Sequence, residues 1–493
     1  MNKALYKGVM KKLLFITLTI LLCRVTGGYF GFVIWLIAVM SAFQKKYGMA
    51  ISCFALFPFM VVLNPVLLPK SGFFGHVLRF GPLGLGVLLA ILTAQKNRQD
   101  RVPLGALFLY LLCAAASSVN GWCAPVSYMK LVNFTVFITG IWLGVQNLQS
   151  RPSDILSLRY FFLGLASFVA FGSLLTLPFP AIAYPLNMNV AAVLNEYGVE
   201  AANEYYREIT SAQTISLFAG VTMHSQTLGP MCACIISLVL ADMLFIVKRA
   251  TIMHAFLLLI LSGMLYMTRS RTALLSTVVG IVVILYYATK HIDIGWGLKR
   301  RVRNMALSCA VIICLAALGS EIANDAMSRW IRKTNDASEF DRDLVEAVTN
   351  TRMGLFEEGL DEFRRNPLLG MGFQVNSNTE VYYKSAKGLV LSAPVEKGLL
   401  PMMILGEGGV VGVIAFCIFL FSFYRSCASR HLVVTASMFT VFLATNMGEA
   451  TFFSPGGAGG VEWVLCAVGG YVIDTAIIYR LNLERYEMFS KDW

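Results

Sequence analysis

The fold class that the sequence predicts is an all-α polytopic integral membrane protein of about fourteen transmembrane helices, with a partly helical external cap between two late helices. Three observations predict it. Of 493 residues, 57% are hydrophobic and only 14% charged, with a mean hydropathy of +0.68, a composition that soluble globular domains do not have. Apolar runs recur at the length a bilayer demands, roughly 20 residues per helical crossing. Finally, lysines and arginines gather at alternate ends of those runs, as the positive-inside tendency requires.

In order along the chain, the apolar segments fall near 12–26, 28–43, 49–68, 76–94, 102–120, 128–147, 155–178, 229–247, 252–267, 273–289, 304–320, 401–424, 432–450 and 458–479. The first, in KKLLFITLTILLCRV, has no small-residue cleavage site after it, and Leu22 before Cys23 spoils a lipoprotein signal, so it reads as a retained helix. With the amino terminus in the cytoplasm, QKK (44–46), QKNRQDR (95–101), Lys248-Arg249, KRRVR (299–303), Arg425 to Arg430 and the tail after Arg480 all fall inside as well. The net charge of +12 is then a topogenic asymmetry that also favours anionic lipid headgroups, and nucleic acid is set aside as a partner. Ten of the eleven cysteines lie in or beside spans, with Cys123 the external one. No Cys-x-x-Cys pair or external cluster points to disulfides or zinc.

Two hydrophilic segments interrupt this pattern, and the topology puts both outside. One lies near 179–228 and ends in GVTMHSQTLGP; the other, 321–400, is the longest and carries 13 of the 28 acidic residues with 10 basic ones. Mixed charge marks the second as a folded insert. The chain therefore divides into residues 1–320, a cap over 321–400, and residues 401–493 with the last three spans and a cytoplasmic tail. Within the cap, Met353, Phe356, Leu360 and Phe363 recur at helical spacing, and the helix should stop at Asn366-Pro367, because a residue before proline resists the helical conformation. The segment that follows, GMGFQVNSNTEVYYKSAKG, is turn-rich.

Against this background, MTRSRTALLS (267–276) puts Arg269 and Arg271 between two spans on the outer side, where the charge rule disfavours them. Snorkelling to lipid phosphate is the plain alternative. The sharper reading is a phosphate site, since a guanidinium is a permanently charged planar fork that matches phosphate oxygens two at a time. If one helix ran through both, they would lie about 200° apart and only one could face the bundle interior. SAPVEKGLLPMMILGEGGVVG adds Glu396 and Lys397 at the foot of the cap and Glu407 among Gly408, Gly409 and Gly412 at the outer end of a span. Close helix approach explains the glycines. An ionisable residue at membrane depth is nevertheless a functional candidate.

TRSRTALL closing one span, TRMGLFEEGLDEFRRNPLLGMGF in the long external loop, and EKGLLPMMILGEGGVVG entering the next span together resemble the superfamily of O-antigen ligases and Wzy-type polysaccharide polymerases. The likeness is specific over about 260–415, with a weaker match at GVTMHSQTLGP, which brings in His224. It implies a GT-C-like membrane glycosyltransferase of the bacterial inner membrane with both termini cytoplasmic. Such an enzyme acts in O-antigen or exopolysaccharide biosynthesis, takes a polyprenyl-pyrophosphate-linked donor and a glycan acceptor, and has a chain-length regulator as a further partner. The resemblance gives Arg269 or Arg271, and Arg352 in the loop, as contacts for the donor's pyrophosphate. Ligases of this kind carry a histidine about nine residues before the Glu-x-Gly-x-x-Gly glutamate; that position is Gly398 here, and 321–400 has no histidine. The departure points toward a polymerase.

The chemistry narrows the residue list on its own terms. Joining two lipid-linked saccharides requires charge neutralisation on a departing pyrophosphate and removal of a proton from an attacking hydroxyl. No acidic pair of the Asp-x-Asp kind and no His/Cys cluster occurs in the cap, so neither metal nor cofactor is expected, and the arginines must supply the positive charge. Glu396 is the expected base, with Arg352 beside it; Lys397, His224 and Glu407 are secondary candidates. An ion pair of Glu396 with Lys397 at the membrane surface is the alternative for that glutamate. A ligase acting on a lipid acceptor and a lipid-linked glycan flippase are the alternative functions.

Overall fold

The computed structural model describes residues 2–63, 84–89, 91–92, 103–119, 121–145, 152–179, 218–222, 224–248, 251–291, 356–375, 399–448 and 450–479. Arg352, Glu396, Lys397 and the span expected near 304–320 lie outside the described residues. Within them the chain is helical, with no strand; one isolated β-bridge joins Leu63 and Thr222.

The helices follow the apolar runs. They are α1 (Asn2–Val25), α2 (Phe30–Phe43), α3 (Tyr47–Val62), α4 (Leu107–Val119), α5 (Ala124–Gly144), α6 (Pro152–Leu175) and α7 (Ser225–Ala241), the last continuing into a π turn over Asp242–Val247. After them come α8 (Ile252–Met267), α9 (Arg271–His291), a short α10 over 356–365, α11 (Leu400–Ser429), α12 (Val433–Thr445) and α13 (Gly457–Val464), which runs on through a second π turn to 479. Among the described residues, five stretches are long and apolar enough to cross a bilayer: Ala124–Gly144, Pro152–Leu175, Ser225–Val247, Leu400–Ser429 and Gly457–Tyr479. Six apolar helices are shorter.

α7 and the span containing α13 form the centre, and the peripheral helices expose apolar side chains such as Leu112, Leu259 and Phe421, as lipid contact requires. Small residues let backbones meet where lipid offers no hydrophobic drive for association. Gly164 of α6 lies against the backbone of α1, so that a Cβ there would come within 3.0 Å of the Leu13 amide nitrogen. Polar side chains serve the same end. The buried carboxylate of Asp474 accepts from the Val434 and Thr435 amides at 2.9 and 2.8 Å and from Thr435 Oγ1 at 2.7 Å, capping α12 from a neighbouring helix. Cys123, expected at the outside, is buried at the amino end of α5.

An aromatic core sits between α4, α5, α11, α12 and α13. Tyr110 stacks on Phe453 with centroids 4.9 Å apart, and Phe452, Phe453 and Trp463 pack edge to face. The indole N–H of Trp463 donates to the Phe452 carbonyl, which fixes the 450–456 connection inside the bundle. Phe373, from the segment after α10, enters the same core against Phe134 and Phe453.

Candidate functional site

Four segments converge at the end of the bundle that carries the two arginines. α8 stops at Met267 and α9 starts at Arg271, so the stretch between is a turn and not one continuous helix. Arg269 adopts a left-handed backbone, φ 50°, which costs a residue with a Cβ about 1–2 kcal/mol. Local bonds hold the turn: Thr268 Oγ1 donates to the Leu265 carbonyl at 2.7 Å, and the Leu274 amide donates to the Ser270 carbonyl at 3.0 Å as α9 begins. The helical separation of about 200° therefore does not apply to this pair. Both side chains are partly buried, and Arg269 Nη1 and Arg271 Nε are each out of solvent.

The neighbours of this turn are helix ends. Gly229 in the first turns of α7 touches Ser270, and a Cβ there would lie 2.7 Å from Ser270 Cβ. The Phe218 amide donates to the Met267 carbonyl at 3.3 Å. Gly448, just past α12, packs on the Thr272 side chain, and the Leu400 amide at the start of α11 donates to the Asn446 carbonyl at 3.0 Å. His224 is the exposed residue before α7; its carbonyl accepts from the Thr227 and Leu228 amides. The amino ends of α7 and α9 thus meet at the arginine turn, and the start of α11 is bonded to the segment past α12 that packs on Thr272. Helix amino ends and guanidinium groups both favour anions.

Glu407 lies elsewhere. It is buried on α11 in a broken part of that helix, where Gly409 has φ 59° and ψ −160°. A break at membrane depth frees backbone groups, each costing several kcal/mol if left in lipid. Here the segment Pro367–Gly372 takes them up. The Val410 and Val411 amides donate to the Pro367 and Leu368 carbonyls at 2.9 and 3.2 Å, and the Met371 and Gly372 amides donate to the Gly406 and Glu407 carbonyls at 2.9 and 3.2 Å. Ser117 of α4 closes the joint, its hydroxyl donating to the Glu407 carbonyl while accepting the Gly372 amide at 3.0 Å. Ser127 accepts the Phe373 amide at 2.8 Å. NPLLGMGF is therefore a strap that completes a broken helix, with Gly370 left-handed against the Glu407 backbone. Glu407 itself faces α4, where Tyr110 is its electrostatic neighbour and its ring touches the Gly408 position.

α10 ends at residue 365, next to the expected stop, and meets α11 through positions other than its apolar ones. Gly359 and Glu362 are its buried positions, lying against Met402 and Gly406 of α11, whereas Phe356 is 41% exposed and Leu360 and Phe363 are only partly covered. Gly359 lets α10 close on the Met402 side chain, and Gly406 of α11 leaves room for Glu362. Arg365 stacks over the Trp122 ring at 5.2 Å, tying α10 to the α4–α5 turn. Sequence reasoning missed the strap, although its Asn-Pro and paired glycines were the available signal. It also missed a buried polar cluster around Asp242.

Taken together, the fold is a bundle of apolar helices with helix ends and arginines gathered at one end. Residues 255–417 match the family model described as O-antigen ligase, a span that begins in α8, includes the arginine turn and ends in α11. The match supports the O-antigen ligase and Wzy superfamily, and with it a membrane protein of the ligase or polymerase type. No curated protein matches the chain.

Proposed function

We propose that the protein is a membrane glycosyltransferase that polymerises polyprenyl-pyrophosphate-linked oligosaccharide repeats on the outer face of the bacterial cytoplasmic membrane. The observation that carries this reading is the pair Arg269 and Arg271 on a non-helical turn at the amino ends of α7 and α9, inside the segment that matches the O-antigen ligase family. In the proposed step a hydroxyl of the acceptor glycan attacks the anomeric carbon of the donor. The bond from that carbon to the pyrophosphate oxygen breaks, and polyprenyl pyrophosphate leaves. Arg269, Arg271 and Arg352 hold the leaving group, and Glu396 takes the hydroxyl proton. Lys397 and His224 are supporting groups in this reading. Glu407 remains a secondary candidate, its backbone carbonyl held by the strap and Ser117.

Polymerisation is favoured over ligation because 321–400 lacks the histidine of the ligase pattern. A flippase would use a broken helix to coordinate cargo with its freed backbone groups. In α11 the amides of Val410 and Val411 and the carbonyls of Gly406 and Glu407 already bond to the strap, which argues against that use. The test is the rate of glycan extension by purified protein in lipid nanodiscs. Arg271→Ala should lower kcat/KM by about 10²–10³, the usual cost of losing one charge-stabilising donor. Glu396→Gln should lower kcat with little change in donor KM. Full activity in both variants would overturn the assignment.

A further inference from the structure

Away from the arginine turn, buried charge is concentrated at the opposite end of α8. Asp242, at the start of the π turn that ends α7, is fully buried. Arg159 of α6 grips it with two prongs, Nε to Oδ1 at 2.6 Å and Nη2 to Oδ2 at 3.0 Å. His254 Nε2, in the first turn of α8, lies 2.9 Å from Oδ2. The chain of contacts ends at Thr251, whose Oγ1 is 2.6 Å from His254 Nδ1 and also accepts the His254 amide to cap α8. Three helices meet at one carboxylate.

Little else specifies where α8 sits along its axis. Its buried stripe is narrow, formed by His254, Leu257, Leu261, Met264 and Leu265, while Phe256, Leu259 and Tyr266 face outward. In lipid an apolar stripe gains nothing by leaving the solvent, so packing alone discriminates weakly between registers. A slip of one turn, about 5.4 Å, would keep leucines against α7. It would also strip His254 from Asp242, leaving a buried ionic group short of a donor, which is strongly unfavourable. At the other end of the same helix pair, Ser270 is seated on Gly229 with no room for a Cβ between them. α7 thus gauges α8 at two points, Asp242 and Gly229.

We propose that Asp242, Arg159 and His254 are positioning residues for the arginine turn, fixing the axial register of α8 so that Arg269 and Arg271 stand level with the amino end of α7. The functional half of this inference rests on the reading of those arginines as donor ligands. The structural half does not. His254 acts on Arg269 across 15 residues, about 22 Å of helix.

Full-length protein in nanodiscs provides the test, read by hydrogen exchange and by steady-state kinetics on a polyprenyl-pyrophosphate oligosaccharide. In Asp242→Asn and His254→Leu, the amides of 266–271 should exchange about tenfold faster while those of 370–373 in the strap keep their protection, and donor KM should rise about tenfold with kcat changed far less. His254→Gln, which retains a donor toward Asp242, should restore both. Thr251→Ser, which keeps the cap and the contact to His254, should leave both readouts unchanged, and Thr251→Val, which removes both, should give a milder change in the same direction should Asp242→Asn not fold. Unchanged exchange at 266–271, or acceleration spread evenly over all helices, would overturn the inference. Full activity in Arg271→Ala would instead sink the donor-site reading, and the exchange result would still decide the register.

Discussion

Ser117 shows how much one hydroxyl carries in this bundle. It donates to the Glu407 carbonyl and accepts the Gly372 amide, so Ser117→Ala removes one hydrogen bond from each of two buried backbone groups that keep only their 3.2 Å bond to each other, at about 0.5–1.5 kcal/mol per bond. The expected result is a lower melting temperature in detergent and faster proteolysis within 366–373. Gly409→Ala strikes the same joint differently: φ is 59°, and a Cβ would lie 2.5 Å from the Leu368 carbonyl carbon and oxygen. Its melting temperature should fall further than that of Ser117→Ala. Arg269 and Arg271 were legible in the sequence, because charge between two apolar runs on the outer side breaks a strong rule. The left-handed conformation of Arg269 was not, since a residue with a Cβ gives no local signal for it. Glu407 was legible as an ionisable residue at depth, but its place beside Tyr110 depends on a helix almost 300 residues earlier.

At the scale of elements, the apolar segments that fall on described residues are helices close to where their hydropathy put them, and α8 runs over the very residues expected, 252–267. Hydropathy alone suffices there because in lipid each crossing must satisfy its own backbone. α11 is the instructive exception. Its glycines read as close-packing residues, whereas Gly409 breaks the helix and the strap supplies the missing bonds. No single-segment pattern reveals that, since donor and acceptor are contributed by two stretches about 40 residues apart. The strap is anchored by Phe373 in the aromatic core, so Phe373→Ala should destabilise the protein by about 3–5 kcal/mol. Differential scanning fluorimetry should show that loss, and extension activity should fall with it if α11 positions the acceptor. α10 shows a related limit of pattern: periodicity finds an apolar face but gives no sign that Gly359 and Glu362 are the positions that meet Met402 and Gly406.

At the scale of the molecule, composition and charge asymmetry fix a polytopic membrane protein. The family match over 255–417 falls on the segment that carries the arginine turn and the strap. The clamp of Asp242, Arg159 and His254 joins three helices whose residues are 83 and 12 positions apart, and only the assembled bundle brings them together. In the described residues the arginine turn lies at one end of the bundle, the aromatic core and strap hold α11 in its broken shape, and the Asp242 cluster lies at the opposite end of α8. The most direct measurement of the central claim uses sealed proteoliposomes loaded with polyprenyl-pyrophosphate oligosaccharide, without ATP or added metal, followed by glycan length and by the side on which the glycan appears. The account predicts chain growth that requires Arg271 and Glu396. Movement of the oligosaccharide across the membrane with no increase in chain length would contradict it.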